Sequence, residues 1–260
     1  MTAVPAGALG ARFLAGSSAV HRLPAHVKVV AVLGFALAVV ATPVHASWAP
    51  AAYAGHLLAV LTAAAVAGVT PGRLARGLVV ELPFVGFALL MPFLAAGPRI
   101  ELLGLSLSRP GLESGGGLLA KATLSVLAAT VLAATTEPRE LVRGLERLRL
   151  PRVMVQILLF MVRYVDVVGG ELHRMRVARE SRGFRGGRLG ALRVLGPAVG
   201  SLFVRTYERG ERVHLAMLSR GYTGRLPAGP AAPVAPSAWA TALALPLAAV
   251  AVLATGIVLG

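Results

Sequence analysis

The chain has 260 residues, 56% of them hydrophobic and only 14% charged, with a mean hydropathy of +0.74. A soluble domain of this length cannot bury that much apolar surface, so the composition describes an integral membrane protein. The net charge is +15 and there is no cysteine, which excludes a disulfide framework, a thiolate metal site and a cysteine nucleophile.

Residues 1–26 read as a short lead-in carrying Arg12 and Arg22, and a four-span transmembrane region follows over 27–136. A hydrocarbon core needs roughly 20 residues of helix. The first span is expected from Val29 to about Trp48, the second over Ala51–Val69, the third over Leu78–Ala96 and the fourth over Gly115–Thr136. Thr70–Gly77, with Arg73 and Arg76, is expected to be a tight basic loop, and Gly97–Ser114 a polar connection whose charges cancel. Glu81 reads as an interfacial carboxylate near the Arg73/Arg76 loop, and Lys121 as a snorkelling lysine near a span end. Gly115-Gly116-Gly117 reads as a site of close helix packing rather than a phosphate loop.

The 137–225 segment differs in kind. It holds 18 Lys/Arg against 8 Asp/Glu. Thr136 is expected to cap a helix with Pro138 in its first turn. Leu141, Val142, Leu145 and Leu148 then alternate with Arg139, Arg143, Arg147 and Arg149, the pattern of an amphipathic helix. Residues 152–182 and 189–220 read as two long helices, apolar at first and basic at the end, joined by a Gly/Arg-rich turn over 185–188. Arg163 and Asp166 are expected to form a local ion pair. Pro227, Pro230, Pro233 and Pro236 recur every three residues, the period of polyproline II, so 226–237 reads as a stiff linker. A final span occupies 238–260. The fold class is thus an all-α membrane protein with about five spans and cytoplasmic helices inserted before the last. The basic segments fall on one side when the spans alternate, which puts 137–225 in the cytoplasm and the C-terminus outside. Basic residues between spans are an orientation signal first, so no nucleic-acid partner is expected.

One stretch is duplicated. Arg174–Gly186 recurs 38 residues later as Arg212–Gly224, with six of thirteen positions identical and Phe184 aligned with Tyr222. Each copy reads as the end of a helix: Ser181-Arg182-Gly183 and Ser219-Arg220-Gly221, with glycine at the left-handed C-cap position. Met175, Ala178 and Arg182 share one helical face, and Val213, Ala216 and Arg220 repeat it. A guanidinium on a helix tip can enter a groove of a partner and pair with a carboxylate through two parallel hydrogen bonds. Two such tips suit two copies of one partner or two halves of one, and a cytoplasmic ATPase dimer is an obvious candidate for a membrane protein without its own engine. Nothing else in the chain competes. The six histidines include no i,i+4 pair and join no acidic cluster, and GxxxxGK[ST] is absent. No catalytic or metal residues are assigned.

At these residues the sequence resembles the transmembrane T-component of energy-coupling factor (ECF) transporters, the CbiQ/EcfT family, in its cobalt-type CbiQ branch. Ser181-Arg182-Gly183 and Ser219-Arg220-Gly221 match the family's two short arginine motifs; Ala216-Met217 and Arg163-Tyr164 are family-like. His21–Lys28 is similar to the family's N-terminal stretch, though Pro24-Ala25-His26 stands where Asp-Pro-Arg is commoner. The resemblance covers about residues 20–225. It implies a non-catalytic scaffold in the bacterial cell membrane, with coupling helices seated on two ATP-binding-cassette subunits that bind ATP and magnesium. It further implies a separate substrate-capturing membrane subunit, of the CbiM type or another S-component. Cobalt or nickel would be the cargo. Rival readings are a T-component for a vitamin such as biotin, a lipid or prenyl enzyme, and a monomeric secondary transporter. The enzyme needs acid-rich motifs, whereas the eleven acids are scattered. The secondary transporter would more naturally show an inverted repeat, whereas this repeat is direct.

Overall fold

The computed structural model describes residues 13–102, 105–183, 188–224 and 234–259. Ten helices and one hairpin are found among them: α1 (Ala19–Arg22), α2 (Ala25–Ala41), α3 (Ala49–Val66), α4 (Pro71–Leu78), α5 (Leu82–Leu94), β1 (Arg99–Leu102), β2 (Leu105–Ser108), α6 (Arg109–Thr135), α7 (Pro138–Arg147), α8 (Arg152–Ser181), α9 (Arg188–Leu218) and α10 (Pro236–Leu259). The described residues are all-α apart from the antiparallel hairpin, in which Arg99 faces Ser108 and Leu102 faces Leu105. Five helical stretches are long and apolar enough to cross a membrane: Ala49–Val66, Pro71–Leu94, Arg109–Thr135, Arg152–Ser181 and Pro236–Val258. Contacts divide the chain into two units, Phe13–Gly144 with Pro233–Gly260, and Leu145–Ala232.

In the first unit α6 is the central helix, packed against α2, α3, α4 and α5. Phe35, Ala38 and Val39 of α2 pack with Val60 of α3, Leu124, Leu127 and Ala128 of α6, and Ala249 of α10. Lipid tails are as apolar as leucine, so such packing depends on close approach rather than on expulsion of water. Gly111 and Gly115 provide it between α6 and α5. A Cβ at Gly115 would lie 2.6 Å from the Ala88 carbonyl oxygen, and one at Gly111 2.6 Å from that of Met91. Gly116 faces open space. Gly115→Leu is therefore expected to cost about 1–3 kcal/mol by forcing α5 off α6. Gly116→Leu should leave the detergent-solubilised thermal midpoint unchanged; equal midpoints for both variants would refute the close-packing account.

Several expected boundaries move. The first apolar helix is Ala25–Ala41, not Val29–Trp48. Pro43 bars the α conformation at the residue before it, and the Thr42 hydroxyl turns back onto the Ala38 carbonyl at 3.1 Å. At 17 residues this helix is shorter than the five above, and α8 stands among the span-length helices instead. The expected loop at 70–77 is a helix, α4. Thr70 precedes it, Pro71 occupies its first turn, and the Arg73 and Leu74 amides both bond back to Thr70, a start pattern the glycines disguised. Glu81 is buried against α6, where the Thr123 hydroxyl donates to its carboxylate at 2.5 Å. The expected connection at 97–114 contains the hairpin and the first turn of α6, where the Ser108 hydroxyl accepts from the Gly111 amide. Thr136 ends α6 rather than capping α7. The first backbone bond of α7 runs from the Leu141 amide to the Glu137 carbonyl, which gives Glu137 the capping position. α10 begins at Pro236, inside the expected linker; the other linker prolines, like the 185–187 turn, lie outside the described residues.

Candidate functional site

Both copies of the repeat end their helices in the same way. α8 closes at Ser181, with the Arg182 amide bonded to the Arg179 carbonyl and the Gly183 amide to that of Glu180. α9 closes at Leu218, with the Gly221 amide bonded to the Leu218 carbonyl and the Tyr222 amide reaching back to Met217. The second pattern is a Schellman cap. Gly183 and Gly221 both sit at φ +81°, the left-handed region where a side chain is strained. The two serines also act alike: Ser181 Oγ donates to the Ala178 carbonyl and Ser219 Oγ to that of Ala216, each at 3.0 Å. Arg182 and Arg220 are exposed, and neither guanidinium has a partner among the described residues. Met175 and Val213 are half-buried, Ala178 and Ala216 exposed. Phe184, the partner of Tyr222 in the repeat, lies outside the described residues.

What lies between the two ends was not legible. α8 and α9 run antiparallel. The Tyr222 hydroxyl donates to Gln156 Oε1 at 2.9 Å, and Gln156 Nε2 donates to the Gly224 carbonyl at 3.1 Å. Two-thirds of the way along α8, Glu171 is buried and meets Arg205 at 3.4 Å and Arg209 at 3.5 Å. Between these two clasps lies a cavity of about 440 Å³, lined by Phe160, Tyr164, Val168, Val213, Met217 and Tyr222 among others. The antiparallel course places Arg220 beside the start of α8, while Arg182 is at its far end. At a rise of 1.5 Å per residue, Gln156 and Arg182 are about 39 Å apart. The repeat therefore makes two separate tips, not one composite site. Arg163 and Asp166 form no ion pair; the paired acids of α8 are Glu171, held from α9, and Glu180, which accepts from Arg176 at 2.8 Å. The basic-first pairs that do form, Arg176–Glu180 and Arg109–Glu113, are spaced i,i+4, whereas Arg163 and Asp166 are three apart.

Gln156 holds the Arg220 end in place through a neutral pair of hydrogen bonds, each worth about 1 kcal/mol. Tyr222→Phe is expected to speed amide hydrogen exchange over residues 219–222 about five-fold, the equivalent of one such bond, and to leave 178–182 unchanged. Unaltered exchange at 219–222 would show that the clasp does not order this tip.

The fold and these helix ends define a class: a polytopic helical membrane protein with two exposed arginine tips on a long antiparallel hairpin. The chain matches the family model described as CbiQ, cobalt transport protein, over residues 16–228. It belongs to this CbiQ/EcfT family of transporter transmembrane components. An uncharacterized protein of Methanocaldococcus jannaschii is 31% identical over 118 residues, 45% of this chain and 44% of that one, so the chain spans less than half of that relative's length. The energy-coupling factor transporter transmembrane protein EcfT of Listeria innocua is 26% identical over 82% of this chain and 84% of its own. A putative fused cobalt transport protein CbiMQ of Methanocorpusculum labreanum is 25% identical over 64% of this chain and 29% of its own.

Proposed function

We propose that this chain is the non-catalytic coupling subunit of an ATP-driven ECF-type importer. Arg182 and Arg220 dock into carboxylate-bearing grooves of two separate ATP-binding-cassette subunits, which hold the ATP and its magnesium. The observation that carries this reading is the repeated, similarly capped helix end with an unpartnered exposed guanidinium, present once at each end of α8, whose stretch from Gln156 to Arg182 is about 39 Å long. That separation suits two partner molecules and excludes a single groove. A rigid hairpin clasped at Gln156/Tyr222 and at Glu171/Arg205/Arg209 transmits movement of one tip along its length. The apolar groove between α8 and α9, with Met161, Phe203 and Tyr207 exposed nearby, suits a surface that slides against a substrate-capturing membrane subunit of the CbiM type or another S-component. In this reading residues 137–225 are the coupling region, on the cytoplasmic side of the bacterial cell membrane, and the C-terminus is outside. The excess of basic residues in 137–225 and in the 70–77 segment supports that orientation.

Cobalt is the proposed cargo, on the strength of the family description and of the fused relative's name. A vitamin is the second reading, favoured by the long match to a Listeria protein whose name carries no metal. The test is co-expression with the candidate ATPases and membrane subunit, followed by affinity purification through this chain and by uptake of labelled cobalt. ATPases that fail to co-purify would end the coupling reading. Co-purification with vitamin-dependent, cobalt-independent uptake would end the cobalt assignment alone.

A further inference from the structure

The first unit carries its own depth gauge. Trp239, near the start of α10, meets the His26 ring edge-on at 6.0 Å, at the N-terminus of α2. Trp48, just before α3, lies against Gly256 near the other end of α10. Residues 239 and 256 are 17 positions apart, about 26 Å along a helix, close to the ~30 Å thickness of a bilayer's hydrocarbon core. Tryptophans collect at the two membrane–water interfaces, so the α2 N-terminus stands at headgroup depth. The helix α7 is held at that level. Gly144 presses on the α2 backbone: a Cβ there would lie 2.8 Å from the His26 nitrogen and 3.0 Å from the Ala25 Cβ. Val142 and Gly144 are buried, and Leu141 and Leu145 half-buried, on one side of α7. Arg139 and Arg143, four residues apart, are exposed on the other. Arg22, exposed and just before α2, stands at the same level. None of these three guanidiniums has a partner among the described residues. The acids nearby are Glu137 and Glu140, and Glu140 acts on the buried ammonium of Lys28. Arg73 and Arg76 of α4 add charge at the same end, where Leu74 packs on Val131 and Ala134. The opposite end mixes Arg99, Arg109 and Lys121 with Glu101 and Glu113, two of which are already paired.

We propose that Arg22, Arg139 and Arg143 form a binding surface for the phosphate of an anionic phospholipid, which holds α7 flat on the membrane. Guanidinium groups pair with phosphate oxygens through parallel hydrogen bonds. Basic residues immediately beside a span, at headgroup depth, are drawn to anionic lipid. The surface is separate from the two arginine tips, and it depends only on the membrane reading of the first unit.

The test uses the full chain in nanodiscs of mixed phosphatidylcholine and phosphatidylglycerol, with the phosphatidylglycerol that stays bound after detergent exchange counted by native mass spectrometry. Retention is expected to fall about five-fold for each arginine removed in Arg139→Gln and Arg143→Gln, and to survive Arg99→Gln at the opposite end. Raising the salt should strip phosphatidylglycerol from the unaltered protein as well, a readout that needs no variant to fold. Salt-insensitive retention, or equal retention in Arg139→Gln/Arg143→Gln and the unaltered chain, would overturn the proposal. So would an equal loss in Arg99→Gln, which would mean that any surface charge suffices. A double variant that keeps its phosphatidylglycerol and instead sheds a co-purifying protein would reassign the surface to that partner.

Discussion

Reversing both tips, Arg182→Glu with Arg220→Glu, is expected to abolish co-purification of the ATPase subunits, while each single change weakens it at least about ten-fold. The size of the effect follows from what is lost. A bidentate guanidinium–carboxylate pair in a groove is replaced by two like charges, and truncating one partner of a buried, hydrogen-bonded charge pair costs about 2–5 kcal/mol. The hairpin geometry predicts how the two changes combine. Sites more than about 10 Å apart with no shared partner contribute additively, and Gln156, which clasps the Arg220 end, lies about 39 Å along α8 from Arg182. The double variant should therefore lose the product of the single losses. Arg→Lys at either position should fall in between, since an ammonium keeps the charge but not the fork. A double variant no weaker than either single would mean that only one tip is engaged, and unaltered binding in all of them would remove the docking hypothesis.

Lys28→Met is expected to lower stability by about 3 kcal/mol, within the range for stranding buried polar groups. That corresponds to a thermal midpoint lower by about 6–12 °C for a chain of this size. Lys28 is 5% exposed, and its ammonium is shared among three acceptors: the Thr135 carbonyl at 2.8 Å, the Thr136 hydroxyl at 3.2 Å and the His21 carbonyl at 3.3 Å. It satisfies the last turn of α6, where carbonyls have no helical partner, and it places a cation at the negative end of that helix. Methionine fills the same channel with no donor, so the loss isolates the ammonium from the packing of its stem. Thr136→Val, which removes one of the three acceptors, should cost about 1 kcal/mol. A Lys28→Met protein that unfolds at the wild-type midpoint would show that water replaces the ammonium without penalty.

The residues that matter most in these predictions were not equally visible from the start. Arg182 and Arg220 were conspicuous because a repeat announces itself in one dimension: identical residues recur at a fixed offset, and glycine after a basic helix end has few other uses. The apolar stretches were conspicuous for the same reason, being contiguous. Gln156 and Glu171 were not. In the sequence Gln156 only interrupts a greasy segment, and its partners lie 66 and 68 residues away. Nor was Lys28, which in the sequence is one more basic residue at a span entry, whereas its acceptors Thr135 and Thr136 are 107 and 108 residues distant. α4 was hidden by composition: two glycines and two arginines in eight residues imitate a loop, until Leu74 and Leu78 find apolar neighbours. Val29–Trp48 was drawn too long because hydropathy does not register the backbone restriction that Pro43 places on Thr42.

The sequence by itself determined the class of protein, most of the apolar helices, the excess of basic charge in 137–225, and the two Ser-Arg-Gly helix ends. These rest on local chemistry: hydrophobic length, charge bias, and the conformational freedom of glycine. Only the tertiary structure decided that α8 and α9 run antiparallel, which sets the arginine tips far apart. It also decided that Glu81 and Lys28 are buried and satisfied, and that Arg139 and Arg143 are exposed on the face of α7 opposite the buried Val142 and Gly144. Each of those depends on which distant segment supplies a hydrogen-bond partner or a covering surface, and that choice is made by packing the whole chain.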